Sequence, residues 1–241
     1  MPTTLPRSAP RWRQLPLPFA YAPHLTAADF LPAPSNAAAL AWLARTEAWP
    51  QRRLALWGQE GSGKTHLLHV WAARCGAALL PGPGLRASAT APDRPLAIDD
   101  ADAAPEHPLL HLLNAAAEGG FAVLLAGRGP AARWPVALPD LASRLRATAA
   151  VEIGPAEESL LRALLARLLA ERQVAVPEAV QSWLLARLPR TPAAVREAAA
   201  RLDRAALAAG GAVTRSIAAV VLDEAAEEPP AEPPPSLPLL L

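Results

Sequence analysis

Lysine is almost missing from this chain. Of its 23 basic residues one is a lysine, Lys64, and the other 22 are arginine. With abundant alanine, this fits a coding bias towards GC-rich codons. Under such a bias, a surviving lysine marks a position that arginine cannot fill. Cysteine is equally scarce. A single Cys75 excludes an internal disulfide or a Cys-based zinc site, and it fits a reducing compartment. Long apolar runs are lacking too: none reaches the 18 or so residues that a membrane-spanning helix needs. The stretch 119–127 is apolar but short, and reads as a buried strand. Residues 1–20 carry Arg7, Arg11 and Arg13 among prolines, with no apolar core of the kind a secretion signal needs. The expected location is the cytoplasm. Net charge is also lacking, with 23 basic residues against 22 acidic, so the chain as a whole has no electrostatic footprint for nucleic acid.

What is present is a core-forming composition, 52% hydrophobic over 241 residues, enough for one globular unit with a small appended domain. Residues 1–23 are rich in Pro and Arg, lack periodicity and read as a mobile tail. Residues 35–49 have helical spacing. Leu54–Trp57 reads as a strand stopping at a glycine loop, followed by a helix over Lys64–Arg74. Further strands are expected at Leu96–Ile98, Phe121–Ala126 and Ala149–Ile153, with helices at Leu109–Glu118 and Pro139–Arg146. This alternation predicts an α/β domain over 24–154, with a mainly parallel sheet covered by helices on both faces. After Gly154–Pro155 only helices are expected: 156–172, 177–188, 192–209 and 213–222. They make a small all-α domain over 155–224, and the acidic, Pro-rich residues 225–241 read as a tail.

The segment Gly58-Gln-Glu-Gly61-Ser62-Gly63-Lys64-Thr65 fits the phosphate-binding P-loop, with the required strand before it and helix after it. Small residues let backbone N–H groups close around phosphates, and the helix N-terminus adds positive potential. Lys64 offers a compact point charge to the outer phosphates, where arginine's planar fork is bulkier. His66 follows on the same helix, and the Thr65 hydroxyl can join a Mg²⁺ shell. About 35 residues on, Asp99 and Asp100 close an apolar strand. There a P-loop protein needs a carboxylate towards Mg²⁺. Asp99 reads as that carboxylate and Asp100 as a water-activating one. A turn aspartate would be the better reading of such a pair without the P-loop.

In chain order, Asp29-Phe30-Leu-Pro-Ala-Pro-Ser35-Asn36, GQEGSGKTHLLHV, LAIDDAD, LPDLASRLR and AAVREAAARLDRAAL resemble the DnaA family of AAA+ replication initiators. Within it they are most similar to the Hda/HdaA-like regulators. The resemblance spans about residues 14–222 by motif order. It implies an AAA+ domain with a helical lid and bound ADP or ATP with Mg²⁺. It also implies an arginine finger at Arg144, offered to a neighbouring subunit's nucleotide, and a sensor II arginine at Arg196. An exposed, ion-paired arginine is the plain alternative at both positions.

Two departures bear on function. Where the family places a polar sensor I group, this chain has Gly127-Arg128-Gly129, which points to weak hydrolysis of its own. An initiator would continue into a helix-turn-helix DNA-binding domain, and residues 225–241 cannot supply one, so a regulator is expected. Gln14-Leu15-Pro16-Leu17-Pro18-Phe19 resembles the short motif that docks on the polymerase sliding clamp. Gln14 would supply a directional hydrogen bond, and Leu15, Leu17 and Phe19 apolar contact. The expected partners are therefore DnaA and the clamp, with DNA reached only through the clamp and self-association left open. The competing expectation is a DnaC-like ATPase or loader acting on helicase or nucleic acid.

Overall fold

A computed structural model of the chain describes residues 25–86, 93–209 and 213–227. The clamp-like segment 14–19 and residues 228–241 lie outside the described residues.

The sheet has five parallel strands: β1 (Arg53–Trp57), β2 (Ala78–Pro81), β3 (Leu96–Asp99), β4 (Val123–Gly127) and β5 (Ala149–Glu152), in the order β2-β3-β4-β1-β5. The period-two alternation of side chains sends apolar residues to both faces, as a doubly covered sheet requires. Leu54, Leu56 and Leu124 pack on one face against α1 (Pro34–Leu43) and α2 (Lys64–Cys75). Ala55, Val123 and Leu125 pack on the other against α3 (Glu106–Glu118) and α4 (Pro139–Arg146). A separate core, centred on Leu165, Leu184, Val195 and Leu202, binds together α5 (Glu158–Glu171), α6 (Glu178–Leu185), α7 (Pro192–Ala209) and α8 (Arg215–Glu227). Among the described residues no helix is long and apolar enough to cross a membrane.

Three details depart from expectation. The edge strand β2 was not foreseen. Its four residues, ALLP, are only half buried, and they are too few to display a period. The helix expected over 35–49 ends at Leu43. There the Trp49 indole N–H donates to Trp42 O, folding the chain back into a 3₁₀ turn at Thr46–Ala48. At the other end of the chain, α8 runs on to Glu227, into the segment read as a tail.

Candidate functional site

Because all five strands are parallel, their C-terminal ends share one edge, where the connecting loops can form a ligand site. Trp57 pairs with Gly127 and Ile98 with Leu125. The P-loop after β1, the aspartates after β3 and Arg128 after β4 therefore meet at that edge.

The loop is held from two sides. A Cβ on Gly58 would lie 2.5 Å from Ile153 O, and one on Gly61 would lie 2.8 Å from the Ala193 Cβ at the start of α7. Gly61 and Gly63 have φ of +73° and +102°, values that side chains resist, so neither position accepts another residue without strain. Gly63 caps α2, leaving the first-turn N–H groups facing the loop cavity. Lys64 is buried and donates to Gly58 O at 2.8 Å and Gln59 O at 2.9 Å. Burial holds its proton affinity below the ordinary lysine value, while Asp100, Asp99 and Asp102 act in the opposite direction. The Ser62 hydroxyl is buried without a hydrogen-bond partner, and Thr65 is exposed at the mouth. An orphaned hydroxyl, free N–H groups and a caged ammonium fit a polyphosphate.

Asp99 accepts from the Asp100 amide through Oδ1 at 3.1 Å, so its other oxygen is free for a cation. Asp100 sits in a left-handed conformation, φ 46°, with its side chain exposed. Its pKa is raised, first by desolvation and then by the like charges of Asp99 and Asp102. A carboxyl with that tendency is better suited to accept a proton than an ordinary aspartate is.

Gly127 carries no side chain to act on a phosphate, and a Cβ there would lie 2.6 Å from the Trp134 ring. Its neighbour Arg128 is anchored by its amide to Asp102 Oδ2 at 2.8 Å, and its guanidinium lies 4.0 Å from Glu60 of the P-loop. Sequence reasoning noted only the missing polar group. The approach of Arg128 to the loop depends on the β1–β4 register.

The second wall of the site is the helical unit. Arg196, one turn into α7, lines a cleft of about 500 Å³, partly open to solvent, together with Leu25, Gly61, Gly63, Lys64, Thr65 and His66. A neighbouring slot is walled by Asp29, Phe30, Leu31, Asn36, Ser62, Leu160, Leu164 and Pro192 and shares Gly63, His66 and Arg196. The opening over the P-loop and this slot meet at His66 and Arg196, so a phosphate-bearing ligand seated there would touch both units.

Residues 25–36 form a strap over that slot. His66 Nε2 lies 2.8 Å from Thr26 O, so that nitrogen carries the proton and donates; burial lowers the pKa of the ring and favours its neutral form. Phe30 meets the His66 ring edge-on at 5.2 Å. Asp29 pairs with Arg167 of α5 at 2.7 Å, and the Ser35 amide and hydroxyl donate to Glu157 at 2.6 and 2.9 Å. The segment from Asp29 to Asn36 was visible as a motif, but its place as a wall of the site was not.

Arg144 lies elsewhere. It occupies the last turn of α4, just before β5, at the N-terminal edge of the sheet. Of the expected site residues, Gly58, Gly61, Ser62, Gly63, Lys64, Thr65, His66, Asp99, Asp100 and Arg196 come together, and Arg144 stands apart.

The strand order, the P-loop after the interior strand β1 and the four-helix unit closing over it together decide the architecture. This is the AAA+ fold. No protein-family model matches the chain, and no curated protein does. Among solved structures, domain III of the replication initiation protein DnaA from Thermotoga maritima superimposes with a TM-score of 0.69 at 19% identity, covering 86% of this chain and 98% of that one. The RuvB Holliday junction branch migration motor of the same organism gives 0.58 at 19%, covering 79% and 66%. Replication initiator DnaA bound to AMPPCP and single-stranded DNA gives 0.58 at 17%, covering 74% and 64%. At such identities the likeness establishes the AAA+ fold and nothing finer.

Proposed function

We propose that the protein is a clamp-associated AAA+ regulator that binds ADP or ATP and stimulates ATP hydrolysis by DnaA. Its contribution to that reaction is Arg144, supplied in trans. The observation that carries the reading is the distance between Arg144 and the chain's own P-loop. They occupy opposite ends of the parallel sheet. From Arg53 to Gly58, β1 alone spans about 16 Å at roughly 3.3 Å per residue. An arginine so placed cannot reach its own phosphates, but it can meet a nucleotide on a neighbouring chain. There its guanidinium would stabilise charge developing on the transferring phosphoryl group. The bare Gly127 supports the same division of labour, because this chain's own site lacks a polar side chain at that position.

At its own site, Lys64 and the α2 N-terminus would hold the phosphates, and Arg196 would report the nucleotide to the lid. Phe30 and Leu31 would shelter the base. Thr65 and Asp99 would hold Mg²⁺, which neutralises phosphate charge when bound. Asp100 would orient or deprotonate water at whatever slow rate this site sustains. Clamp association would come from Gln14, Leu15, Leu17 and Phe19, placing the protein at DNA without direct contact.

The test is a reconstituted assay of DnaA, clamp and DNA. Arg144→Ala should lower the stimulated hydrolysis on the order of 10³-fold, with nucleotide binding by the variant intact. Unchanged stimulation would refute the assignment. A pull-down with the clamp, comparing wild type with a Gln14→Ala, Leu17→Ala, Phe19→Ala variant, tests the tether. Rapid ATP turnover by the purified protein alone would favour a motor or loader instead.

A further inference from the structure

The N-terminal edge of the sheet holds a second arginine. Arg53, the first residue of β1, is 3% exposed, yet it has no acidic partner among the described residues. Its Nη2 donates to Gln51 Oε1, and its Nε is buried with no hydrogen-bond partner. A buried cation without a counter-charge is expensive to keep.

The register brings the last turn of α4, which carries Arg144, up to it. Leu54 pairs with Ala149, so Thr148, one residue earlier on β5's approach, stands next to Arg53. The Thr148 hydroxyl donates to Arg144 O at 2.9 Å, tying the last turn of α4 to that point. Arg144 Nε is also buried without a hydrogen bond, and among the described residues its carboxylate neighbour is the exposed Asp140, 3.8 Å away. The chain enters β1 through two consecutive non-glycine residues in the left-handed region, Gln51 at φ 50° and Arg52 at φ 56°. Such conformations persist where the surroundings enforce them, commonly at functional sites. Burial, and then the charge of Arg144, hold Arg53 below the ordinary arginine pKa, in keeping with two cations near one another at this edge.

We propose that Arg53 is a positioning residue for Arg144. It acts as a buried second cation that keeps the Arg144 guanidinium turned outward, so that Arg144, backed by Arg53, forms a seat completed by the terminal phosphate of a nucleotide on a partner chain. The inference rests on the function proposed above and adds a residue to it. Repulsion between the two cations is relieved only when an anion arrives, which makes the seat selective for phosphate over a neutral surface.

The experiment compares Arg53→Met and Arg53→Lys in the DnaA hydrolysis assay and in thermal unfolding. Arg53→Met should raise the midpoint by about 2–4 °C, because an unpaired buried charge is replaced by an apolar chain of similar length. Its maximal stimulation should fall on the order of ten- to a hundredfold, with little change in the concentration needed for half effect. Arg53→Lys should retain most of the stimulation. In an Arg144→Ala background, Arg53→Met should change stimulation no further. Unchanged stimulation in Arg53→Met, or a loss that persists without Arg144, would overturn the inference while leaving the finger intact. Absence of stimulation by the wild type would instead remove the reading on which it rests.

Discussion

The single lysine occupies the one place where its shape decides binding. Lys64 Nζ sits between two loop carbonyls at 2.8 and 2.9 Å, a gap filled by a compact ammonium and not by a planar fork. Lys64→Arg should therefore weaken nucleotide binding by about 10- to 100-fold, the cost of one or more charge-assisted hydrogen bonds; titration calorimetry with ADP reads it directly. The neighbouring Asp100 makes a second residue-scale prediction. Its pKa is raised in the folded chain, so the folded state binds the proton more tightly than the unfolded state. Stability then falls as pH rises through the window above the unfolded value, about 3.9, and remains lowered once both states are ionised. Asp100→Asn should raise the unfolding midpoint of nucleotide-free protein near neutral pH. That advantage should vanish below the unfolded value, where the wild-type carboxyl is protonated in either state. A midpoint difference independent of pH would show that the carboxyl is not perturbed by its neighbours.

At the scale of elements, the most consequential contact is between the P-loop and the lid. Gly61 has φ +73°, and the Cβ it lacks would press on Ala193, the second residue of α7. Gly61→Ala should push α7, and Arg196 with it, away from the loop. Nucleotide affinity would fall, and backbone strain would add about 1–2 kcal/mol. Adding Ala193→Gly removes the collision but not the strained φ, so binding should recover in part while stability does not. Recovery of both would show that sterics alone govern the position. The same contact illustrates what the sequence could disclose. The P-loop was legible because its chemistry is local: eight consecutive residues carry it, framed by a strand and a helix. Strands β1, β3, β4 and β5 were legible as apolar runs, whereas β2 was too short and too exposed to announce itself. The strap was beyond reach for a different reason. Ser35 and Glu157 are 122 positions apart, and Asp29 and Arg167 are 138 apart. No period or spacing encodes a pairing of that range.

At the scale of the whole molecule, two independently built cores enclose one site between them. The sheet carries apolar clusters on both faces, and the lid carries its own around Leu165. The described links between them run through the strap and the P-loop: Ser35 to Glu157, Asp29 and Ala28 O to Arg167, Leu31 against the lid core, and Gly61 against Ala193. Separate cores joined through a strap and one loop are built for relative motion, and a ligand at the junction gains only from the closed arrangement. Nucleotide should therefore stabilise both halves together, by about 2.7 kcal/mol at 100 times its dissociation constant. A substitution deep in the lid exposes this coupling. Leu165 is fully buried and does not itself line the pocket, so Leu165→Ala should cost about 2–5 kcal/mol in the lid core. The sheet would remain folded. Nucleotide affinity should drop nonetheless, because part of the binding energy must first restore the lid. Denaturant unfolding followed by tryptophan fluorescence in a Trp183→Phe background, where Trp49 and Trp71 report the sheet side, should then separate from the helical signal, and saturating ADP should bring the two transitions back together. Coincident transitions in the ligand-free variant would mean instead that lid and sheet unfold as one cooperative unit, and that the closed site is a fixed feature of the fold.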